Sequence, residues 1–321
     1  MKLGVLTVLM GDKSLPEVLE YMKRVGIDTV EIGTGNYPGN AHCPLEQLLD
    51  DPEARARWKA MFEDRGITIS ALSCHGNPVH PNEAIATAHH DVFRKTMDLA
   101  RYLDIETVIG FSGCPGGPGG GTDPIWVTAP WPNEMAATLD WQWEKVLIPY
   151  WLKQAAYARE CANVNIALEM HPNFAVHNPA TLTRLRNRAG VNIGANFDPS
   201  HLFWQGIDPI EALKVLSTCI YHVHAKDCKV DGRNTALNGV LDTQPYTCEA
   251  TRSWIFRTVG YGHGAEWWRD FVSTLRLIGY DGVLSIEHED SLMTPQEGLE
   301  KAIDFLRPIV INQPAGTAYW A

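Results

Sequence analysis

The chain has 321 residues, 38 acidic against 27 basic for a formal net charge of −11, with 45% hydrophobic and 20% charged. It is too apolar and too sparsely charged for a disordered chain. It is also too acidic for the basic footprint of a nucleic-acid binder or for adhesion to an anionic membrane, which leaves a soluble globular protein with a small or neutral partner.

Short β-rich runs alternate with helical stretches from end to end. The first strand is read at 3–9. Ser14, Leu15 and Pro16 then open a helix with a cap and an early proline, and Gly26 closes it. Further strands are read at 28–33, 67–73, 106–111, 165–169, 191–197, 219–225 and 282–287. Helices are expected at about 53–65, 83–103, 179–189, 208–217, 265–278 and 295–309. Eight near-continuous apolar strands, each followed by a helix, make a parallel sheet buried on both faces. No GxGxxG follows the first strand, where the turn is Met10-Gly11-Asp12-Lys13-Ser14. The count of eight therefore favours a closed (β/α)8 TIM barrel over an open doubly wound sheet. No composition break marks a second domain, and 1–321 reads as one TIM-barrel domain.

Two connections are long, 112–133 after the fourth strand and 226–264 after the seventh. Both begin at strand C-terminal ends, the active face of such a barrel, where long loops are commonly functional. The GGPGGG stretch at 116–121 lacks the Gly-Lys-Ser/Thr of a phosphate loop and reads as flexible. The apolar run 3–10 has only Lys2 before it and Gly11-Asp12-Lys13 after it, so it does not read as a secretion signal. Seven scattered cysteines with no CxxC pair read as reduced thiols, and the expected location is the cytoplasm.

The informative pattern lies in what ends the strands. The fifth ends in Leu168-Glu169-Met170-His171, the sixth in Asn196-Phe197-Asp198 with His201 beyond, the seventh in His222-Val223-His224-Ala225-Lys226-Asp227, and the eighth in Ser285-Ile286-Glu287-His288-Glu289. Glu31 and His75 end the second and third. Alternation along a strand puts Glu169 with His171, His222 with His224, and Glu287 with Glu289 on shared faces. Such groups in a barrel mouth are costly to bury unless paired or bound to a metal. Glu169, Asp198, His224 and Glu287 supply three carboxylates and one imidazole from four consecutive strands. That set suits Mn²⁺, Mg²⁺, Co²⁺ or Fe²⁺ better than a thiolate-bound structural zinc.

These segments carry a family likeness. IALEMHP (166–172), NFDPSHLFW (196–204), YHVHAKD (221–227), VGYGHG (259–264) and GYDGVLSIEHED (279–290), with EIGTGN (31–36) and SALSCHGN (70–77), fall in order at the strand ends. The sequence resembles the sugar phosphate isomerase/epimerase superfamily of xylose-isomerase-like barrels. The resemblance implies a divalent ion, Mn²⁺ first with Co²⁺, Mg²⁺ and Zn²⁺ as alternatives, held by Glu169, Asp198, His224 and Glu287. It implies that Glu169 and Glu287 also exchange protons on opposite faces of a sugar. His201 and Arg257 match the family's substrate-contacting histidine and arginine. The implied chemistry is proton removal beside a carbonyl through a metal-stabilised enediolate.

Three other readings stand beside that one. Endonuclease IV, in the same superfamily, needs a histidine at the end of the fourth strand, which here reads Gly110-Phe111-Ser112, and the net charge opposes it. A lyase resembling C-glycoside deglycosidase catalytic subunits would cleave a 3-keto glycoside by base-driven elimination, with His171 as the base. A non-catalytic sugar-binding barrel is the third. His75, Glu31 and Asn77 read either as contacts to sugar hydroxyls or as hydrogen-bonding residues of the mouth. Lys226 reads as a substrate contact or as the partner of Asp227.

Trp126, Trp131, Trp141, Trp143 and Trp151, five of eleven tryptophans, fall within 26 residues. They read as a lid, with Trp126 and Trp131 against the substrate, as a subunit interface, or as a small core under the loop. The partner is a small sugar or glycoside, not phosphorylated since no Arg or Lys cluster marks a phosphate site, with a homo-oligomer or a small accessory subunit left open. His42, His80, His89, His90, His177 and His263 read as surface or loop residues, and His288 as pointing away from the barrel axis.

Overall fold

The computed structural model describes residues 1–320. Eight parallel strands close a barrel: β1 (Lys2–Leu6), β2 (Thr29–Gly33), β3 (Thr68–Ser73), β4 (Thr107–Gly110), β5 (Asn165–Glu169), β6 (Ile193–Phe197), β7 (Ile220–Ala225) and, after an excursion, β10 (Val283–Ile286), which pairs with both β7 and β1. The excursion contains an antiparallel pair, β8 (Asp227–Val230) with β9 (Trp254–Arg257), and a helix Gly232–Asn238 between them. The (β/α)8 barrel and its two long connections are as the strand pattern implied.

Local chemistry explains the joints. Ser14 opens the helix Leu15–Arg24 in a capping box, with its amide donating to Glu17 at 2.9 Å. Asp51 caps the helix Pro52–Glu63 by accepting from the amides of Glu53 and Ala54. The 3–9 strand reading needs correction. β1 stops at Leu6, and Thr7–Met10 forms a 3₁₀ turn whose buried Thr7 hydroxyl meets His42 Nδ1 at 3.0 Å. His42 is consequently interior rather than on the surface, its Nε2 donating to the Lys13 carbonyl at 3.2 Å. Residues 133–162 form one helical run, with π-helical turns at Gln142–Leu147 and Ala158–Ala162.

Alternation along the strands divides the molecule into two interiors. Outward-facing Val30, Ile32, Leu72, Ile166, Leu168, Ala195, Phe197, Val223, Ala225, Leu284 and Ile286 join the main apolar core against the helices. The inward positions are different. Ala71, Ile109 and Ala167 make a small apolar cluster, while Glu31, Ser73, Asn196, His222, His224 and Ser285 are polar and buried. A barrel lumen is ordinarily packed with branched apolar side chains. Here polar groups fill much of it, and the reason lies in the site they support.

The close approach of β6 to β7 requires glycine at one place. A Cβ on Gly194 would lie 2.3 Å from the Cys219 carbonyl oxygen and 2.4 Å from the Tyr221 ring. Gly194→Ala is therefore expected to cost about 1–3 kcal/mol of stability. The loss would appear as a lower urea midpoint at unchanged slope, and an unchanged midpoint would show that the strands can separate without penalty.

Candidate active site

The mouth of the barrel holds a cavity of about 510 Å³ lined by His75, Phe111, Glu169, His171, His201, Lys226, Glu287 and Glu289, among others. Beneath it, one ligand atom each from Glu169, Asp198, His224 and Glu287 lies within 4.8 Å of the others. Their origin is positional: Glu169 ends β5, Asp198 and Glu287 follow β6 and β10 directly, and His224 sits one residue before the end of β7.

The lumen's polar residues orient these four. Glu31 accepts from His224 Nε2 at 3.0 and 3.1 Å, and takes further bonds from the hydroxyls of Ser73 and of Ser285, the latter at 2.7 Å. Nε2 therefore carries a proton, while Nδ1 faces Glu287 (2.8 Å) and Glu169 (3.2 Å). Burial opposes the charge, but Glu31 and Glu287 outweigh it and hold the imidazole well above its usual range, so Nδ1 is the nitrogen that would give up a proton to a cation. Burial alone would raise the Glu31 carboxyl, but His224 and His222 outweigh it and hold the group down at about 2. Asn196 donates to Glu169 Oε2 at 3.0 Å, while its own Oδ1 meets His222 Nδ1 at 3.0 Å. His222 also reaches Ser70. Glu31, His222 and His224 form a second group close enough to share an ion, but the network of serines and Asn196 already satisfies them.

Charge concentrates above this floor. His75 Nε2 lies 3.0 Å from Glu169 Oε2, and His201 Nε2 lies 3.2 Å from Glu169 Oε1 and 3.3 Å from Asp198 Oδ2. Burial favours the neutral form of Glu169, yet the surrounding histidines hold it well below the carboxylate range. Asp198 goes the other way, raised by burial to about 6 despite His201 and Lys226. Lys226 Nζ sits 3.1 Å from Glu287, 2.7 Å from Glu289 and 4.0 Å from Asp198. Asp198 Oδ2 is buried without a hydrogen-bond donor, and Glu287 Oε2 meets only His224 Nδ1. Three carboxylates and one imidazole converging around an unsatisfied carboxylate oxygen fit a hard divalent cation.

His171 has a defined tautomer. Its Nδ1 contacts the Pro172 carbonyl, an acceptor only, so Nδ1 carries the proton and Nε2 the lone pair. Burial and the adjacent His201 push the imidazole down to about 3, which keeps it neutral.

Several expected contacts lie elsewhere. Arg257 lines neither the cavity in the mouth nor the one beside it; its Nε binds Asp290 at 3.1 Å. Alternation along β9 explains this, since the neighbouring Phe256 takes the cavity-facing position. Lys226, the residue between β7 and β8, turns to Glu287 and Glu289 rather than to Asp227. The buried Asp227 instead accepts from the amides of Cys228, Gly260, Gly262 and His263 and meets His263 Nδ1 at 2.8 Å. Asp227→Ala would orphan those donors, for an expected loss of about 1–3 kcal/mol. New proteolytic cleavage between 258 and 264 would accompany the loss, and protection equal to the parent chain would contradict it.

Of the trio His75, Glu31 and Asn77, only His75 lines the mouth. Glu31 lies below it, and Asn77 clasps the Cys114 backbone through both amide atoms. The tryptophans also divide. Trp143 and Trp151 are core, the latter donating to the Ser112 carbonyl at 3.0 Å. Trp126 lines a second cavity, whereas Trp131 is 78% exposed and borders neither cavity, because the chain turns at Pro132 to begin the helix Asn133–Trp141. His288 packs outside the barrel against Gly298, as expected. Asn196, Glu289 and the stacked Phe111 and Phe174 (4.2 Å, 20°) are site residues that motif reading passed over. Asn196 was readable in principle, standing two residues before Asp198 on the same face.

A family model described as xylose isomerase-like TIM barrel matches residues 19–309. The chain belongs to that family. A relative in Bacillus subtilis (strain 168), the uncharacterized protein YfiH, is 39% identical over 312 residues, covering 97% of this chain and 99% of the relative. Among solved structures, the probable 3-DHS dehydratase AsbF of Bacillus anthracis matches with a TM-score of 0.67 and 15% identity over 96% of this chain and 99% of the other. The D-psicose 3-epimerase of Clostridium cellulolyticum H10, solved with D-tagatose, matches with a TM-score of 0.62 and 16% identity over 97% and 99%. These two likenesses concern the fold. Among the described residues, no helix is long and apolar enough to cross a membrane.

Proposed function

We propose that this chain is a divalent-metal-dependent isomerase or epimerase of a small keto sugar, working by proton removal beside the carbonyl. The observation that carries the reading is the convergence of Glu169, Asp198, His224 and Glu287 within 4.8 Å, with Asp198 Oδ2 lacking a donor. These four would hold the ion, Mn²⁺ first among Mn²⁺, Co²⁺, Mg²⁺ and Zn²⁺. When bound, it supplies Lewis-acid polarisation of the carbonyl and stabilises the charge of the enediolate.

The chain's own groups do the rest. Glu169 and Glu287 stand on opposite sides of the cluster, on strands separated in the barrel by β6 and β7, and serve as the two proton-exchanging carboxylates. His75 and Asn196 fix Glu169, and Lys226 fixes Glu287. Phe111 and Phe174 present an apolar wall that excludes water from one side of the mouth. A reducing cytoplasm suits seven cysteines that are all free.

A second reading, elimination from a 3-keto glycoside, is favoured by the unprotonated Nε2 of His171, which borders the mouth and an adjoining cavity together. The test is incubation of the Mn²⁺-loaded protein with keto sugars and 3-keto glycosides in D₂O. Deuterium entering at the carbon beside the carbonyl, lost on chelation and with any aglycone retained, is expected for the isomerase. Release of the aglycone would select the lyase. Absence of both reactions across the panel would sink the enzymatic reading.

A further inference from the structure

A second cavity of about 470 Å³ adjoins the mouth and shares His171 and His201 with it. Its walls come from both long connections, Trp126 from the first and Tyr246, Arg252, Trp254 and Phe256 from the second, with Trp204 between them. The lining is largely aromatic, and its members pack on one another. Trp204 and Trp254 are stacked at 4.4 Å and 6°, and Tyr246 lies nearly parallel to Phe256 at 6.2 Å. Arg252 is buried, and its guanidinium lies 4.3 Å from the Tyr246 ring centroid and 4.7 Å from that of Trp254. Its Nε and Nη1 donate to the carbonyls of Trp254 and Gln244, so it is locked in place rather than mobile.

We infer that this annex seats a flat aromatic ring joined to the sugar bound in the mouth, so that the substrate is an aryl glycoside or a comparable sugar–arene conjugate rather than a free monosaccharide. The inference rests on the reading of the mouth as a sugar site. Three features select the occupant. The mouth alone is large enough for a monosaccharide, and ligand pockets in general run to about 300–1,000 Å³, so a second cavity of similar size is surplus to one sugar. A cavity lined by Trp126, Trp204, Tyr246, Trp254 and Phe256 favours a planar ring, which meets such side chains edge-on or face-on, over a flexible alkyl chain that would lose rotamer freedom on entry. Finally, the two cavities meet at His171 and His201, which places the junction between sugar and ring beside the Nε2 lone pair of His171.

The experiment is equilibrium binding to the Mn²⁺-loaded chain, by calorimetry, of matched 4-nitrophenyl and methyl glycosides of glucose, galactose, mannose and xylose, with 4-nitrophenol alone as a third probe. These glycosides lack a ring carbonyl and report binding without turnover. The expected result is that, for at least one sugar, the aryl glycoside binds ten times or more tighter than its methyl partner. That ratio should fall towards one in Tyr246→Ala and in Thr243→Trp, which fills the annex from its exposed rim. Tyr246 and Thr243 are both exposed at the rim, so neither change disturbs the core, and one empties the annex where the other fills it. Equal affinity of aryl and methyl glycosides would overturn the annex. Binding of 4-nitrophenol with none of any glycoside would support an arene site while overturning the sugar reading. Silence of all three probes would overturn both.

Discussion

Glu169→Gln and Glu287→Gln are each expected to lower net conversion of the responsive sugar by about 10²–10⁴-fold, the range over which a positioned acid or base contributes. Glutamine preserves volume and one acceptor oxygen but cannot take up or return a proton. The two variants should nevertheless differ in D₂O. The one that keeps the carboxylate on the face where the proton is removed continues to exchange deuterium into unreacted substrate, although it cannot deliver a proton to the other face. The variant lacking that carboxylate exchanges nothing. Both residues are also proposed metal ligands, so metal content must be measured on the same samples. Loss of turnover with the ion retained isolates proton transfer, and loss of both reports ligation only. A variant of either residue with full turnover would refute the acid–base assignment.

Glu31→Gln, behind the ligand candidate His224, is expected to weaken Mn²⁺ binding by about 10–100-fold, the usual penalty for losing a group that orients a ligating histidine. Glu31 accepts from His224 Nε2 and from two serine hydroxyls while sealed from solvent. An amide retains one acceptor but turns its NH₂ towards those same donors. His224 then loses the bond that fixes its tautomer, and the share of rings presenting an Nδ1 lone pair falls. Isothermal titration with Mn²⁺ reads the effect, and a Glu31→Asp variant tests distance against charge. Affinity within twofold of the parent chain, in a variant with native circular dichroism, would remove Glu31 from the metal's support.

The barrel and its four converging strand ends were legible in the chain because both are periodic. Apolar alternation defines strands, and a polar group at the last inward position of each strand has few places to go but the mouth. Arg257 shows where that logic stops. It lies in an antiparallel pair outside the parallel ladder, and which face a side chain takes there depends on pairing that spans 227–257. The tryptophans divided between those readings for another reason. Trp143 and Trp151 belong to a helix whose buried face is set by the neighbouring helices, while Trp126 belongs to the loop before it, so closeness in sequence said nothing of a shared role. Glu31 was visible as an acidic strand end but not as a support beneath His224, because that relation runs across the lumen between residues 193 positions apart.

The two long connections differ in how they are rooted, and that difference bears on how such a protein diversifies. Gln142 pins the base of the first by donating to the carbonyls of Pro115, Gly116 and Ile125, and the tip between, 118–124, is exposed, with open space around Gly119, Gly120 and Gly121. That tip can lengthen, shorten or be exchanged between relatives without disturbing the barrel. The second connection has no such freedom at its root, since β7 passes into β8 through the single residue Lys226, whose ammonium is tied to Glu287. Transplanting it would reset the proposed proton-exchanging carboxylate at the same stroke. Descendants of this barrel should therefore vary in the first connection by recombination and in the second only by point substitution.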